Sequence, residues 1–246
     1  MPERFSRTAM LIGGEGLAVL KRSKVVVFGL GGVGSFVVEG LARAGVGEFF
    51  LVDFDIVDIT NINRQIHALT GTVGKPKAEL MAERVRQINP EARVTALQER
   101  YVPGEGRKFI PAGLSYLVDA IDDVAAKVDL IINAIKMGIP VISAMGAGNK
   151  LNPNQFEVVD ISRTTICPLA RAVRKKLREA GVDKGVKVVY STEKPLTSGL
   201  EIKNRIEKDS FNPPTRSAPG SISFVPSVAG LIIAGEVVKD LLTQSS

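Results

Sequence analysis

Val25-Val-Val-Phe-Gly-Leu-Gly-Gly-Val-Gly-Ser35, followed by Leu51-Val-Asp-Phe-Asp55, is the stretch that decides the fold. An apolar β-branched run enters a tight glycine turn, and the residues after the turn begin a helix. Gly29 and Gly31 let the backbone turn and come close to a ligand, and Gly34 permits tight helix–strand packing. Gly29, Gly31, Gly32 and Gly34 are therefore the candidate phosphate contacts, because free N–H groups and the dipole at a helix start favour anions. Asp53 ends the next strand, where a carboxylate accepts hydrogen bonds from ribose hydroxyls. The pattern predicts a bound nucleotide without saying which one.

Working outward, residues 24–28 and 49–53 read as buried strands around a helix over 33–44 closed by Gly45 and Gly47. Pro76 opens a second helix with Ala78, Met81, Val85 and Ile88 on one face, ended by Asn89-Pro90. Strands are expected at 93–98, 114–121 and 139–145. Between the last two lies a helix N-capped by Asp123, running through Met137 to Gly138, with Val128, Ile131, Ile132 and Ile135 inward. After Gly146-Ala-Gly-Asn149 the rhythm changes. Phe156–Ile161 and Lys187–Ser191 read as strands around a basic helix opened by Pro168, 192–220 as a mobile loop, and 226–242 as a closing helix. The expected fold is α/β: a Rossmann-like, mostly parallel sheet with helices on both faces, in one domain over 1–246. Its 1–150 part would bind nucleotide; its 151–246 part would serve substrate and interface.

A chain of 246 residues with 45% hydrophobic and 24% charged residues can bury one large core. Its single cysteine, Cys167, excludes an intramolecular disulfide and any zinc site built from paired Cys-x-x-Cys motifs. Residues 1–7 lack the apolar core of a signal peptide, which predicts a cytoplasmic protein. The uncharged run 217–235 is interrupted by Pro219, Gly220 and Pro226, so it reads as a buried helix or subunit interface rather than a membrane span. The net charge of +6 is uneven: 13 Lys and Arg against 6 Asp and Glu fall within 163–216. Such a segment, dense in Arg171, Arg174, Lys175, Lys176 and Arg178, is either a solvated helix face or a footprint for a nucleic-acid backbone.

Beyond Asp53 the sequence adds Asp55, Asn61-Ile-Asn-Arg-Gln65, Gly74-Lys-Pro-Lys77 at a helix start, and Asp119-Ala-Ile-Asp-Asp123 at a strand end. Arg64 and Lys77 lie past the strand tips, where ligands bind in open α/β sheets. Hydride transfer has little use for two cations there, whereas nucleotidyl transfer needs fixed positive charge on phosphate oxygens. Asp122 could hold magnesium bridging those phosphates. Singly, Lys77 reads as a solvated helix residue, Arg64 as an ion-pair partner and Asp122 as an N-cap competing with Asp123. Together, in order on one sheet edge, they favour the catalytic reading.

These five motifs resemble the ThiF/MoeB superfamily, the ubiquitin-activating-type adenylyltransferases, over residues 4 to about 148. The resemblance implies adenylation of a carboxylate with Mg-ATP. Asp53 would bind the ribose, Asn61, Arg64 and Lys77 the phosphates, and Asp122 magnesium and the transferring centre. Asp55 and Gln65 join the implied nucleotide contacts. Arg7, in Arg4-Phe-Ser-Arg7, would reach across a homodimer interface into the partner's ATP site. The chain lacks the superfamily's usual zinc pairs, and Cys167 reads as a structural thiol rather than a thioester cysteine.

Val158-Val-Asp-Ile-Ser-Arg-Thr164, Pro168-Leu-Ala170, Val189-Tyr-Ser-Thr-Glu193 and Gly220-Ser-Ile-Ser-Phe-Val-Pro-Ser-Val-Ala-Gly230 are similar to the tRNA threonylcarbamoyladenosine dehydratase branch. That likeness implies a tRNA partner held by the basic segment, with the threonyl carboxylate of the modified adenosine beside the anticodon as the activated group. It also leaves room for a sulfur-relay protein partner, and for a monovalent cation on carbonyls near Gly146–Asn149 or the final loop. The rival readings are adenylation of a sulfur-carrier protein's C-terminal glycine, an NAD-dependent oxidoreductase, and a non-catalytic nucleotide sensor.

Overall fold

A computed structural model describes residues 3–196 and 219–243. Seven strands form one sheet: β1 Lys24–Phe28, β2 Glu48–Val52, β3 Arg93–Leu97, β4 Tyr116–Asp119, β5 Val141–Ala144, β6 Phe156–Asp160 and β7 Lys187–Ser191. Their order is β3-β2-β1-β4-β5-β7-β6. Every pairing is parallel except β6 with β7. The order reverses between β1 and β4, the switch point at which open α/β sheets bind ligands.

The described helices are α1 Ser6–Arg22, α2 Gly34–Ala44, α3 Lys77–Ile88, the one-turn α4 Gly106–Phe109, α5 Val124–Lys136, α6 Pro168–Glu179 and α7 Phe224–Thr243. Helices α2, α3 and α7 cover one face of the sheet, packing Val37, Leu41, Met81, Val85, Ile233 and Val237 onto it. Helices α5 and α6 cover the other, with Leu130, Ile131, Val173 and Leu177 over Val26, Phe28 and Leu117. Val25 to Phe28 are wholly buried, as a strand covered on both faces requires. Residues 217–218 of the uncharged run lie outside the described chain. Its described part leads into α7, which buries Val225, Ala229, Ile233 and Val237 in the core. No helix among the described residues is long and apolar enough to cross a membrane.

Several expectations need correction. Helix α1 has no counterpart in the sequence reading, because Gly13, Gly14 and Gly16 break up its apolar pattern. Gly13 kinks it, with φ 73°. The strand expected over 114–121 spans only Tyr116–Asp119, since the Asp119 carboxylate accepts from Ile121 N–H at 3.1 Å and turns the chain. Asp123 does cap α5, accepting from Ala126 N–H at 2.8 Å. The inward face of α5 is nevertheless Ala126, Lys127, Leu130, Ile131 and Ala134, while Ile135 is exposed. Lys127 rotates that face by burying its ammonium against Asp119 (2.9 Å), both side chains being fully buried. The expected loop 192–220 is irregular at its described ends, 192–196 and 219–220; its remainder lies outside the described residues.

Candidate active site at the sheet's carboxyl edge

The glycine turn fits the sequence reading in detail. Gly29 has φ +83°, and a Cβ there would meet the Ala120 carbonyl at 2.7 Å. A Cβ on Gly34 would sit 1.8 Å from the Gly29 oxygen. Gly34→Ala must therefore open the turn. Such overpacking costs about 1–3 kcal/mol of stability, so the melting temperature is expected to fall by several degrees, and nucleotide affinity in a titration is expected to fall with it.

Asp53 anchors this turn to the next strand. It is buried; its Oδ2 accepts from Leu30 N–H at 2.6 Å and its Oδ1 from Asp55 N–H at 2.8 Å. Burial raises its pKa, a shift opposed by those two N–H groups and by Lys77. The carboxylate thus stands at the tip of β2, beside the glycine turn. Lys77 opens α3 with its side chain only 6% exposed, and its Nζ lies 2.7 Å from Asp55 Oδ2. Asp55 is thereby the counter-ion that aims Lys77, a role the sequence reading did not give it.

Residues 56–76 form an excursion pinched at its base. Ile56 bridges Pro76, Val57 N–H donates to Lys75 O at 2.9 Å, and Gly74 N–H donates to Val57 O at 2.8 Å. Asn61 is buried and its Oδ1 accepts from Asp58 N–H at 3.1 Å, which leaves the amide N–H groups to donate elsewhere. Arg64 is half-buried; one guanidinium nitrogen reaches Thr60 O at 2.8 Å and Asn63 Oδ1 at 2.9 Å. Its Cγ lies 3.4 Å from where a Cβ on Gly32 would stand, so its stem flanks the turn. Gln65 is buried beside Gly31, and its Oε1 has no partner among the described residues. The atom nearest the turn is its Nε2, 3.9 Å from where a Cβ on Gly31 would stand, a donor suited to an anionic ligand oxygen.

Asp122 is exposed between the tip of β4 and α5, with no side-chain partner among the described residues. No group of three or more His, Cys, Asp or Glu converges there or elsewhere in the described chain. That arrangement fits magnesium held by one carboxylate together with triphosphate oxygens, the usual nucleotide-site chemistry, and not an all-protein cage. Arg7 is exposed on the first turn of α1. The carbonyl of Asn149, one of the candidate cation ligands, accepts from Leu196 N–H at 2.7 Å.

Three site features escaped the sequence reading. Asp119 Oδ2 binds both Lys127 Nζ at 2.9 Å and Ser143 Oγ at 2.6 Å, locking the β4 tip from which Asp122 projects. Asn63 Nδ2 donates to Ser221 O at 2.9 Å, bringing the start of α7 to the excursion. His67, the only histidine, is buried with neither ring nitrogen partnered among the described residues. No local pattern marks any of them, because each depends on residues brought together by the fold.

Burial, reinforced by Lys77 and Arg84, pushes the His67 imidazole down to about 4. An unfolded imidazole titrates near 6.5, so the unfolded chain binds a proton that the folded one refuses between these values. Stability from this group is complete above pH ~6.5, declines as pH falls, and levels off near pH 4. The difference between about pH 7 and pH 5 is about 2 kcal/mol. Urea titrations should show that loss in the wild-type chain and should not show it in His67→Gln.

The ThiF family pattern matches residues 5–246. The chain belongs to the ThiF family. It is 48% identical over 243 residues to the tRNA threonylcarbamoyladenosine dehydratase of Bacillus subtilis (strain 168), covering 98% of this chain and 96% of that protein. The crystal structure of Escherichia coli tRNA N6-threonylcarbamoyladenosine dehydratase, TcdA, in complex with ATP superimposes with a TM-score of 0.88 at 37% identity, covering 99% of this chain and 95% of that one. The sulfur carrier protein ThiS adenylyltransferase of E. coli (strain K12) is 36% identical over 152 residues, 60% of each chain.

Proposed function

We propose that this ThiF-family chain adenylates the threonyl carboxylate of threonylcarbamoyladenosine in tRNA with ATP and cyclises the product. One observation carries the choice. Similarity to a dehydratase runs through almost the whole chain, whereas similarity to the ThiS adenylyltransferase spans 60% of it. The sulfur-carrier alternative thus has support over a smaller share of the sequence.

In this reading ATP lies on the Gly29–Gly34 turn, with Asp53 holding its ribose and Asn61, Arg64, Gln65 and Lys77 facing the nucleotide. A substrate carboxylate oxygen attacks the α-phosphorus, the bond to the bridging oxygen breaks, and pyrophosphate leaves. The acyl-adenylate carbonyl is then attacked by the neighbouring carbamoyl group. The new ring bond forms, the acyl–oxygen bond breaks, and AMP departs with the carboxylate oxygen; one proton is released. Lys77 and Arg64 stabilise charge that grows on phosphate oxygens in the first step. Magnesium, when bound through Asp122, would neutralise part of that charge. Holding both reacting groups on one nucleoside supplies the proximity that speeds the second step.

The remaining surface fits a polyanionic partner. Arg171, Lys175 and Arg178 are exposed and recur along α6 at helical spacing, with Lys176 and Lys184 exposed nearby. Two basic residues of the segment serve the fold instead: Arg174 donates to Thr164 O at 2.6 Å, and Lys187 Nζ sits 2.7 Å from Asp240. A homodimer is part of the proposal. Met10 and Leu11 on α1 and Ile56, Ile59, Leu69 and Val73 on the excursion are exposed apolar residues, and Arg7 stands one helical turn from Met10. A second copy packed against α1 could bring Arg7 to the neighbouring nucleotide site. A cytoplasmic location, a monovalent cation near Gly146–Asn149 or the final loop, and a sulfur-relay partner complete the reading.

The test is mass spectrometry of anticodon-loop nucleosides after tRNA carrying the open threonylcarbamoyl group is incubated with the protein, ATP and magnesium. Loss of one water from the modified adenosine, with AMP and pyrophosphate formed, is expected. An unchanged nucleoside, with AMP released only when a carrier protein is supplied, would replace this reading by the alternative.

A further inference from the structure

Asn149 is the only described residue other than glycine with positive φ, at 56°. That corner joins three parts of the chain. Asn149 N–H donates to Gly220 O at 2.7 Å, its Oδ1 accepts from Gly220 N–H at 2.6 Å, and its carbonyl accepts from Leu196 N–H at 2.7 Å. Packing leaves little room for another register: a Cβ on Gly148 would meet Pro219 at 2.8 Å. The residue after Gly220 continues the connection, since Ser221 O receives Asn63 Nδ2 at 2.9 Å. Asn63 Oδ1 in turn accepts from Arg64 at 2.9 Å. Pro226, at the start of α7, closes the path by packing where a Cβ on Gly32 would stand, 3.1 Å away.

We propose that Asn149 is a positioning residue for Arg64. It lies past the tip of β5, on the far side of the glycine turn from Asp53, and touches no residue of the nucleotide reading directly. Its two bonds to Gly220 fix the 219–221 span, that span fixes Asn63, and Asn63 holds the guanidinium of Arg64, whose stem flanks Gly32. Asparagine suits the position because its short amide tolerates the left-handed region and can bond the backbone locally. Valine would do neither, since a β-branched residue at positive φ is a strained outlier. Glycine would keep the backbone corner and lose only the Oδ1 bond.

The proposal rests on Arg64 as a phosphate ligand, and the experiment separates the two claims. ATP affinity is measured by titration calorimetry for the wild type, Asn149→Val, Asn149→Gly, Arg64→Ala and Asn149→Val/Arg64→Ala, with circular dichroism as the check on folding. Asn149→Val is expected to weaken ATP about tenfold and Asn149→Gly about threefold or less, which correspond to about 1.4 and 0.6 kcal/mol. In the Arg64→Ala background, the Asn149→Val change should add nothing, because the group it positions is gone. If Asn149→Val does not fold, Asn149→Ala takes its place in the same cycle. ATP binding unchanged by the Asn149 substitution, or weakened equally in both backgrounds, would overturn the proposal. Undiminished binding by Arg64→Ala alone would instead remove the phosphate-ligand reading beneath it.

Discussion

Lys77→Met should leave a folded protein that binds ATP poorly and forms the acyl-adenylate about 10²–10³-fold more slowly. The Lys77 ammonium is nearly buried and paired with Asp55, its ion-pair partner among the described residues, so the site holds a cation fixed before any ligand arrives. A charge fixed in a partly desolvated place does more for a transition state than one that must reorganise from water. Methionine fills the same space without charge, and Asp55, 45% exposed, can turn to solvent instead of standing buried and unpaired. The fold should therefore lose little. Single-turnover AMP formation with the substrate tRNA gives the rate, and thermal melting gives the control. A full rate in Lys77→Met would remove the lysine from the chemistry.

Asp119→Ala should be the most destabilising single change considered, at about 3–5 kcal/mol. Asp119 and Lys127 are both wholly buried, and the carboxylate also accepts from Ser143 and from the Ile121 backbone. Removing it strands an ammonium in the interior, which costs far more than the pair itself contributes. The double variant Asp119→Leu/Lys127→Met, which leaves no unpaired charge, should recover most of the loss. It should also loosen the β4 tip, so that Asp122 is less well placed and activity stays low while stability returns. Urea unfolding and pyrophosphate release read the two properties separately. A single variant no less stable than the double one would contradict the argument.

How much could be read from the sequence follows from how local each feature is. The β1–turn–α2 unit was legible almost to the residue, because strand, glycine turn and helix start are contiguous and each glycine has its own steric reason. Lys77 and Arg64 were legible as cations past strand tips, since helix starts and strand ends can be placed from Pro76 and the apolar runs. The service of Asp55 to Lys77 was not, since only the fold brings residues 22 positions apart to 2.7 Å. Lys127 broke the reading of α5 for a related reason: apolar periodicity assigns charge to solvent, and a buried ion pair inverts that assignment. Helix α1 failed through its glycines. Asn149 is legible in the sequence only as part of a carbonyl run that could hold a cation, and its left-handed backbone acquires meaning only when Gly220 and Leu196 arrive beside it.

The closure of the 56–76 excursion by Ile56 and Pro76 has an evolutionary corollary. Asn61, Arg64 and Gln65 travel together on a segment whose two stems meet, so an insertion in its exposed part need not shift β2 or α3. Changes of length in this segment can then be absorbed between its stems while the apolar packing of the open sheet beneath stays in place.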